Sequence, residues 1–119
     1  MSKRVLIVDD SLYMRTVIRD VLEAEGFTIV AEASNGEEAI DFAFEYEPDY
    51  ITLDNILPDM IGTDILKVFK EEGINAKVIM ISAVGQDSVV NTGMKLGAID
   101  YIIKPFTNKQ LLEALRKAG

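Results

Sequence analysis

The segment that decides the fold is Val5-Leu6-Ile7-Val8-Asp9-Asp10-Ser11, in which four apolar residues precede two carboxylates and a hydroxyl. The apolar part is rich in β-branched residues and indicates a strand that is buried on both faces. The acidic pair ends this run, and a helical pattern begins directly after it. The segment therefore predicts the start of an α/β fold with polar side chains at the point where strand passes into helix.

Similar runs recur along the chain and predict strands at residues 5–8, 28–31, 50–53, 78–81 and 101–103. Apolar residues at helical spacing fill the intervals, with helices predicted at 12–25, after Ser34 or Asn35, after Gly62, at about 87–96 and after Thr107. This alternation predicts a (βα)5 doubly wound parallel five-stranded sheet with helices on both faces. No linker or repeat interrupts the pattern, so we expect residues 1–119 to form one domain.

Composition excludes several classes of function. The 119 residues contain no cysteine and no histidine, which excludes disulfides, thiolate nucleophiles and imidazole catalysis. Twelve basic and twenty acidic residues give a net charge of −8, so we expect no binding to nucleic acid or to a membrane surface. The apolar run at 5–8 is too short for a secretion signal or a membrane span, which favours a cytoplasmic protein.

Polar residues follow four of the five predicted strands. Asp9 and Asp10 follow the first strand, Asp54 the third, Ser82 the fourth and Lys104 the fifth. In an open α/β sheet the ligand binds beyond the carboxyl ends of the strands, so these side chains are expected along one edge. Each alone is an ordinary turn or helix-capping residue. Their coincidence along a single edge favours a functional site.

Three carboxylates and a lysine along one edge indicate phosphate chemistry. Clustered carboxylates repel unless they share a cation, and an all-oxygen site suits Mg²⁺, which leaves one carboxylate free for chemistry. We assign that role to Asp54, because a carboxylate can accept a phosphoryl group as an aspartyl phosphate. Lys104 then supplies a cationic clamp, and Ser82 donates a hydrogen bond to a phosphoryl oxygen.

In the order and spacing of these motifs, the whole chain resembles response-regulator receiver domains, the CheY-like family of two-component signalling. The motifs are the segment at 5–11, Leu53-Asp54 with Pro58 and Gly62, Ile81-Ser82-Ala83, and Ile103-Lys104-Pro105-Phe106. The resemblance implies the flavodoxin-like strand order 2-1-3-4-5 and a cis Lys104-Pro105 bond. Residues 10–15 and 82–86 are most similar to stand-alone chemotaxis regulators.

The resemblance also implies a phosphoacceptor and a metal site. Asp54 accepts the phosphoryl group, and Asp9, Asp10 and Asp54 bind Mg²⁺ together with the main-chain carbonyl of Ile56. The phosphohistidine donor has to be a histidine kinase, because this chain has no histidine. The chain is thus expected to be a signalling protein and no conventional enzyme, although it assists its own phosphotransfer and autodephosphorylation.

A two-state switch is the third implication of the resemblance. The new charge draws Ser82 and Lys104 towards Asp54, and Tyr101 turns inward as Ser82 vacates its space. The face formed by the fourth helix, fifth strand and fifth helix then binds a motility switch or an adaptor protein. A phosphatase is a further expected partner.

Some positions depart from the common pattern of the family. Chemotaxis relatives often carry a polar residue or threonine within the segment that is Asn55-Ile56-Leu57 here, and Ile61 replaces a usual Asn or Asp. The residues that flank the site, Ile56 and Val84, are both apolar. We hypothesise that they obstruct the hydrolytic water and make autodephosphorylation slow.

Three other classes of protein share parts of this pattern. Aspartate-nucleophile phosphatases carry a second acid two residues after the nucleophile, where this chain has Ile56. A flavodoxin-like flavin site is disfavoured because Asp9 and Asp10 would repel the flavin phosphate, and neither G-x-G-x-x-G nor a P-loop motif is present. A phosphorelay intermediate, for example in stress or developmental signalling, stays open because it would use the same site and the same face.

Overall fold

The computed structural model describes residues 3–119, and in that part of the chain five strands alternate with five helices. The strands are β1 (Arg4–Val8), β2 (Thr28–Ala33), β3 (Tyr50–Leu53), β4 (Lys77–Ser82) and β5 (Asp100–Ile103). The helices are α1 (Leu12–Ala24), α2 (Gly36–Tyr46), α3 (Gly62–Glu71), α4 (Asp87–Lys95) and α5 (Asn108–Ala118). The predicted (βα)5 pattern is confirmed. Across the described residues, no helix is long and apolar enough to cross a membrane.

All strand pairs are parallel, and the strand order is β2-β1-β3-β4-β5, as predicted. The order reverses at β1, which lies between β2 and β3, and such a switch point opens a crevice at the carboxyl ends of the strands. Val8 of β1 is in register with Leu53 of β3. The residues that follow them, Asp9 and Asp54, therefore leave the sheet at the same level.

Each face of the sheet carries its own apolar core. One core packs alternate residues of β1, β3 and β4 against α2 and α3, and the other packs the remaining residues against α1 and α5. The interior strand β1 is at most 1% exposed from Val5 to Val8. The prediction that every strand is buried on both faces is wrong for β2 and β5, because these two strands form the edges of the sheet and are partly exposed.

Short side chains cap three of the helices. Ser11 Oγ accepts a hydrogen bond from Met14 N at 3.1 Å and so begins α1. Of the two candidates for α2, Asn35 is the cap, since its Oδ1 accepts from Glu38 N at 2.8 Å. Thr107 caps α5 as expected. These caps satisfy backbone N–H groups at the first turn, which sets where each helix begins beyond its strand.

Candidate functional site

Three aspartates meet at the carboxyl ends of β1 and β3. Asp9 and Asp54 are buried, Asp10 is exposed, and one carboxylate oxygen from each lies within 4.8 Å of the others. The structure therefore brings the three predicted carboxylates together. An all-oxygen donor set of this kind fits a hard divalent cation such as Mg²⁺.

Lys104 contacts two of these carboxylates from the end of β5. Its Nζ lies 2.7 Å from Asp9 Oδ2 and 3.4 Å from Asp54 Oδ2. Burial alone would lower the pKa of this ammonium, but the hydrogen bond to Asp9 and the charges of both carboxylates outweigh burial and raise it above its usual value. Lys104 is thus a cation held between two acids. The Lys104-Pro105 bond is cis, as the resemblance implied.

The Asp54 carboxylate has a different partner on each oxygen. Oδ1 accepts a hydrogen bond from Ile56 N at 3.2 Å, and Oδ2 faces Lys104. Burial raises the pKa of Asp54, and the Ile56 N–H and the Lys104 charge offset part of that rise. The side chain is therefore oriented by two donors in a site with little water around it.

Ser82 and Tyr101 meet at Val84, in the loop between β4 and α4. Ser82 is buried, and its Oγ accepts a hydrogen bond from Val84 N at 3.2 Å. The half-buried Tyr101 donates its hydroxyl to the carbonyl of Val84. Burial raises the pKa of the Tyr101 phenol, the Ser82 hydroxyl lowers it, and the charge of Asp54 raises it. Within residues 3–119, Ser82 makes no hydrogen bond to Asp54, and its contacts are with the Val84 loop and with Tyr101.

Two side chains that support the site were missed at the level of sequence. Arg15 donates to the main-chain carbonyl of Asp9 at 2.7 Å. Asp59 accepts from the backbone N–H groups of Gly36 and Glu37 at 2.7 and 3.0 Å, and these bonds lower its pKa. Asp59 thereby ties the loop after β3 to the first turn of α2. Only its place after Pro58, in a typical turn dipeptide, was a signal in the sequence.

In the segment that departs from the family pattern, the polar Asn55 is buried and the apolar Ile56 is exposed. Asn55 is 5% exposed and its Oδ1 has no hydrogen-bond partner among the described residues, whereas Ile56 is 53% exposed. The main chain accounts for the inward direction of the Asn55 side chain, because Asn55 O accepts a hydrogen bond from Gly62 N at 2.6 Å. An exposed isoleucine therefore lies next to Asp54, where a polar side chain would be easier to hydrate.

Comparison with known proteins agrees with this geometry. The family model for the response regulator receiver domain matches residues 5–116. Chemotaxis protein CheY of Bacillus subtilis is 44% identical over 117 residues, which are 98% of this chain and 98% of that protein. Chemotaxis protein CheY of Thermotoga maritima is 43% identical, over 100% of this chain and 99% of that protein. The crystal structure of the CheX-CheY-BeF3-Mg²⁺ complex from Borrelia burgdorferi contains a chain with TM-score 0.90 and 37% identity, covering 96% of this chain and 87% of that one.

Proposed function

The chain belongs to the response regulator receiver domain family, and from this premise we propose that it accepts a phosphoryl group on Asp54 from a histidine kinase and acts in chemotaxis. One observation carries the proposal: the buried Asp54 carboxylate lies between the Lys104 ammonium and a backbone N–H, beside Asp9 and Asp10. The similarity to chemotaxis proteins along nearly the whole chain supports the pathway.

Phosphotransfer uses Asp54 as the nucleophile. A carboxylate oxygen of Asp54 forms a bond to phosphorus while the P–N bond of the donor's phosphohistidine breaks, and the imidazole leaves with the electron pair and takes up a proton. Lys104 offsets the charge that gathers on the phosphoryl oxygens. Mg²⁺, when held by Asp9, Asp10, Asp54 and the Ile56 carbonyl, would neutralise further charge there.

The switch follows from the contacts of Ser82. Once Asp54 carries a phosphoryl group, the Ser82 hydroxyl donates to one of its oxygens and moves away from Val84 N. Tyr101 donates to the carbonyl of the same Val84, so a movement of this loop carries the tyrosine with it. The loop at 83–86, α4, β5 and α5 then change their shared face, which binds a motility switch or an adaptor protein. The Borrelia complex of CheX with CheY and BeF3 supports this kind of partner.

The test is the mass of the intact protein after incubation with acetyl phosphate, with and without Mg²⁺. We expect one phosphoryl group on the wild type, dependent on Mg²⁺, and none on Asp54→Asn. Asp64→Asn is the matched control, because Asp64 is an acid on the surface of α3 that pairs with Lys67 and lies outside the carboxylate cluster, and it should still be phosphorylated. Phosphorylation of Asp54→Asn, or none of the wild type even from a phosphorylated histidine kinase, would refute the proposal.

The chemotaxis part has a separate test. Phosphorylated protein immobilised on a resin is expected to recover motility switch or adaptor proteins from a lysate of its own cells. Recovery of a histidine phosphotransfer protein alone would instead support a phosphorelay intermediate and contradict the chemotaxis assignment.

A further inference from the structure

Arg15 joins the acidic pair to the edge of the sheet. Its side chain, on the first turns of α1, is 15% exposed and donates through Nη1 to the Asp9 carbonyl at 2.7 Å. Its Nε donates to Glu32 Oε1 on β2 at 3.1 Å. The second oxygen of Glu32 pairs with Arg19, one helical turn further along α1. The guanidinium of Arg15 is therefore held on one side by a carboxylate and holds, on the other, the peptide that links Asp9 to Asp10.

Asp9 and Asp10 are fixed in different ways. The Asp9 side chain accepts from Ser11 N at 2.9 Å and from Lys104 at 2.7 Å, and its backbone N–H donates to Ala33 O. The Asp10 carboxylate is exposed and makes no hydrogen bond or ion pair within residues 3–119. The direction of the Asp10 side chain thus depends on its main chain, and the carbonyl of the preceding peptide is the one held by Arg15.

Glu32 also reduces the repulsion between the Arg15 guanidinium and a cation bound by the aspartates. A guanidinium so close to the aspartates would repel a divalent cation bound there. The Glu32 carboxylate is 15% exposed and accepts from Arg15 directly, so its charge offsets that of the guanidinium while the hydrogen bond to Asp9 is kept. Replacing Arg15 by a neutral donor would not give the same forked contact to two acceptors.

We infer that Arg15, held by Glu32, is a positioning residue that orients Asp10 for binding of a divalent cation. The inference rests on the proposed function, because it concerns the cation site of that function. Groups that orient metal ligands from outside typically change metal affinity by about 10- to 100-fold when they are removed. Arg15 is expected to act at the lower end of this range, since it holds the main chain of Asp10 and not its carboxylate.

The test compares Mg²⁺ binding by the unphosphorylated wild type, Arg15→Met and Arg15→Lys, measured by titration calorimetry and by the NMR shift of the Asp10 amide. Methionine keeps the apolar stem of Arg15 and removes both hydrogen bonds. We expect Arg15→Met to bind Mg²⁺ about tenfold more weakly. The rate at which acetyl phosphate phosphorylates Arg15→Met should be lower than that of the wild type at low Mg²⁺ and equal to it at saturating Mg²⁺. Arg19→Met is the matched control, because Arg19 contacts Glu32 but not Asp9, and it should bind Mg²⁺ like the wild type.

The outcomes separate the two proposals. A wild type that is phosphorylated and binds Mg²⁺, with Arg15→Met equal in affinity, overturns the inference and leaves the function standing. A wild type that neither binds Mg²⁺ nor accepts a phosphoryl group removes both. If Arg15→Met does not fold, Arg15→Lys decides, because it keeps the charge and loses the forked contact: a several-fold loss of Mg²⁺ affinity supports the inference, and wild-type affinity overturns it.

Discussion

The two sides of the phosphorylation site are built differently. The acidic side, residues 9–11 and 54–62, is held by many directional bonds, among them those of Asp9 to Lys104 and of Asp59 to the start of α2. The switch side, residues 82–101, is held by few directional bonds. Gln86, at the N-cap of helix α4, makes no side-chain capping bond to any described residue, and only Gly93 of the helix is buried. One side therefore has fixed geometry for binding, and the other can rearrange at low energetic cost.

The largest effect is expected from Lys104→Met, which removes the cation of the acidic side. Asp9 and Asp54 would then face each other without a shared donor. The rate of phosphorylation by acetyl phosphate should fall about 100-fold, the usual effect of losing one charged donor at a developing anion. Lys109→Met is the control, because Lys109 is exposed and, among the described residues, pairs only with Glu113 on its own helix. An unchanged rate for Lys104→Met would mean that the clamp is not Lys104.

A second change probes the packing of the acidic side. In Gly62→Ala the new Cβ would lie 2.9 Å from both Asn55 Cα and Asp54 O, which are main-chain atoms and cannot move aside cheaply. We expect the free energy of unfolding to fall by about 2 kcal/mol, as overpacking typically costs. Urea denaturation measures it. A variant as stable as the wild type would show that the main chain of the acidic side can shift easily, and this would contradict the fixed geometry assigned to it.

The residues that flank Asp54 give a smaller, kinetic effect. Ile56 belongs to the acidic side and Val84 to the switch side, and both leave an apolar approach to the phosphoryl group. Ile56→Asn and Val84→Asn should each speed the loss of the phosphoryl group several-fold, since an amide can hold the attacking water. The decay of phosphorylated protein over time, followed by intact mass, reports the rate. Rapid loss in the wild type that neither replacement alters would count against slow autodephosphorylation.

The smallest effect is expected from Gly93→Ala on the switch side. The new Cβ would meet Met80 Sδ at 2.7 Å, the flexible part of a side chain that can shift, while alanine favours the helix over glycine by about 1 kcal/mol. The two terms partly cancel, so stability should rise by less than about 1 kcal/mol. Gly62→Ala and Gly93→Ala are thus predicted to change urea stability in opposite directions. A large loss in both would erase the difference between the two sides.

Much of this arrangement could be predicted from the sequence. Buried strands have an obvious pattern, and parallel strands bring their carboxyl ends together, so Asp9, Asp54 and Lys104 were placed at one site. The partial exposure of β2 and β5 could not be predicted from residue types, because it follows from their position at the edges of the sheet. The contact of Arg15 was missed because its acceptor is a main-chain carbonyl, which has no sequence signal.

Asn55 and Ile56 show a further limit of prediction from residue type. Polarity alone would place the asparagine outside and the isoleucine inside, and the structure has the reverse. The hydrogen bond from Gly62 N to Asn55 O fixes the main chain of this loop, and the main chain decides which side chain is buried. Loop geometry therefore overrides side-chain polarity next to Asp54.

The central claim is that phosphorylation of a fixed acidic side rearranges an adaptable switch side. Amide hydrogen exchange of the wild type, with and without BeF3 and Mg²⁺, tests this directly, with Asp54→Asn treated identically as the control. The account predicts altered exchange across residues 82–101, little change across residues 54–62 away from the modified carboxylate, and none in the control. Changes confined to residues 54–62, or spread evenly over both sides, would contradict it.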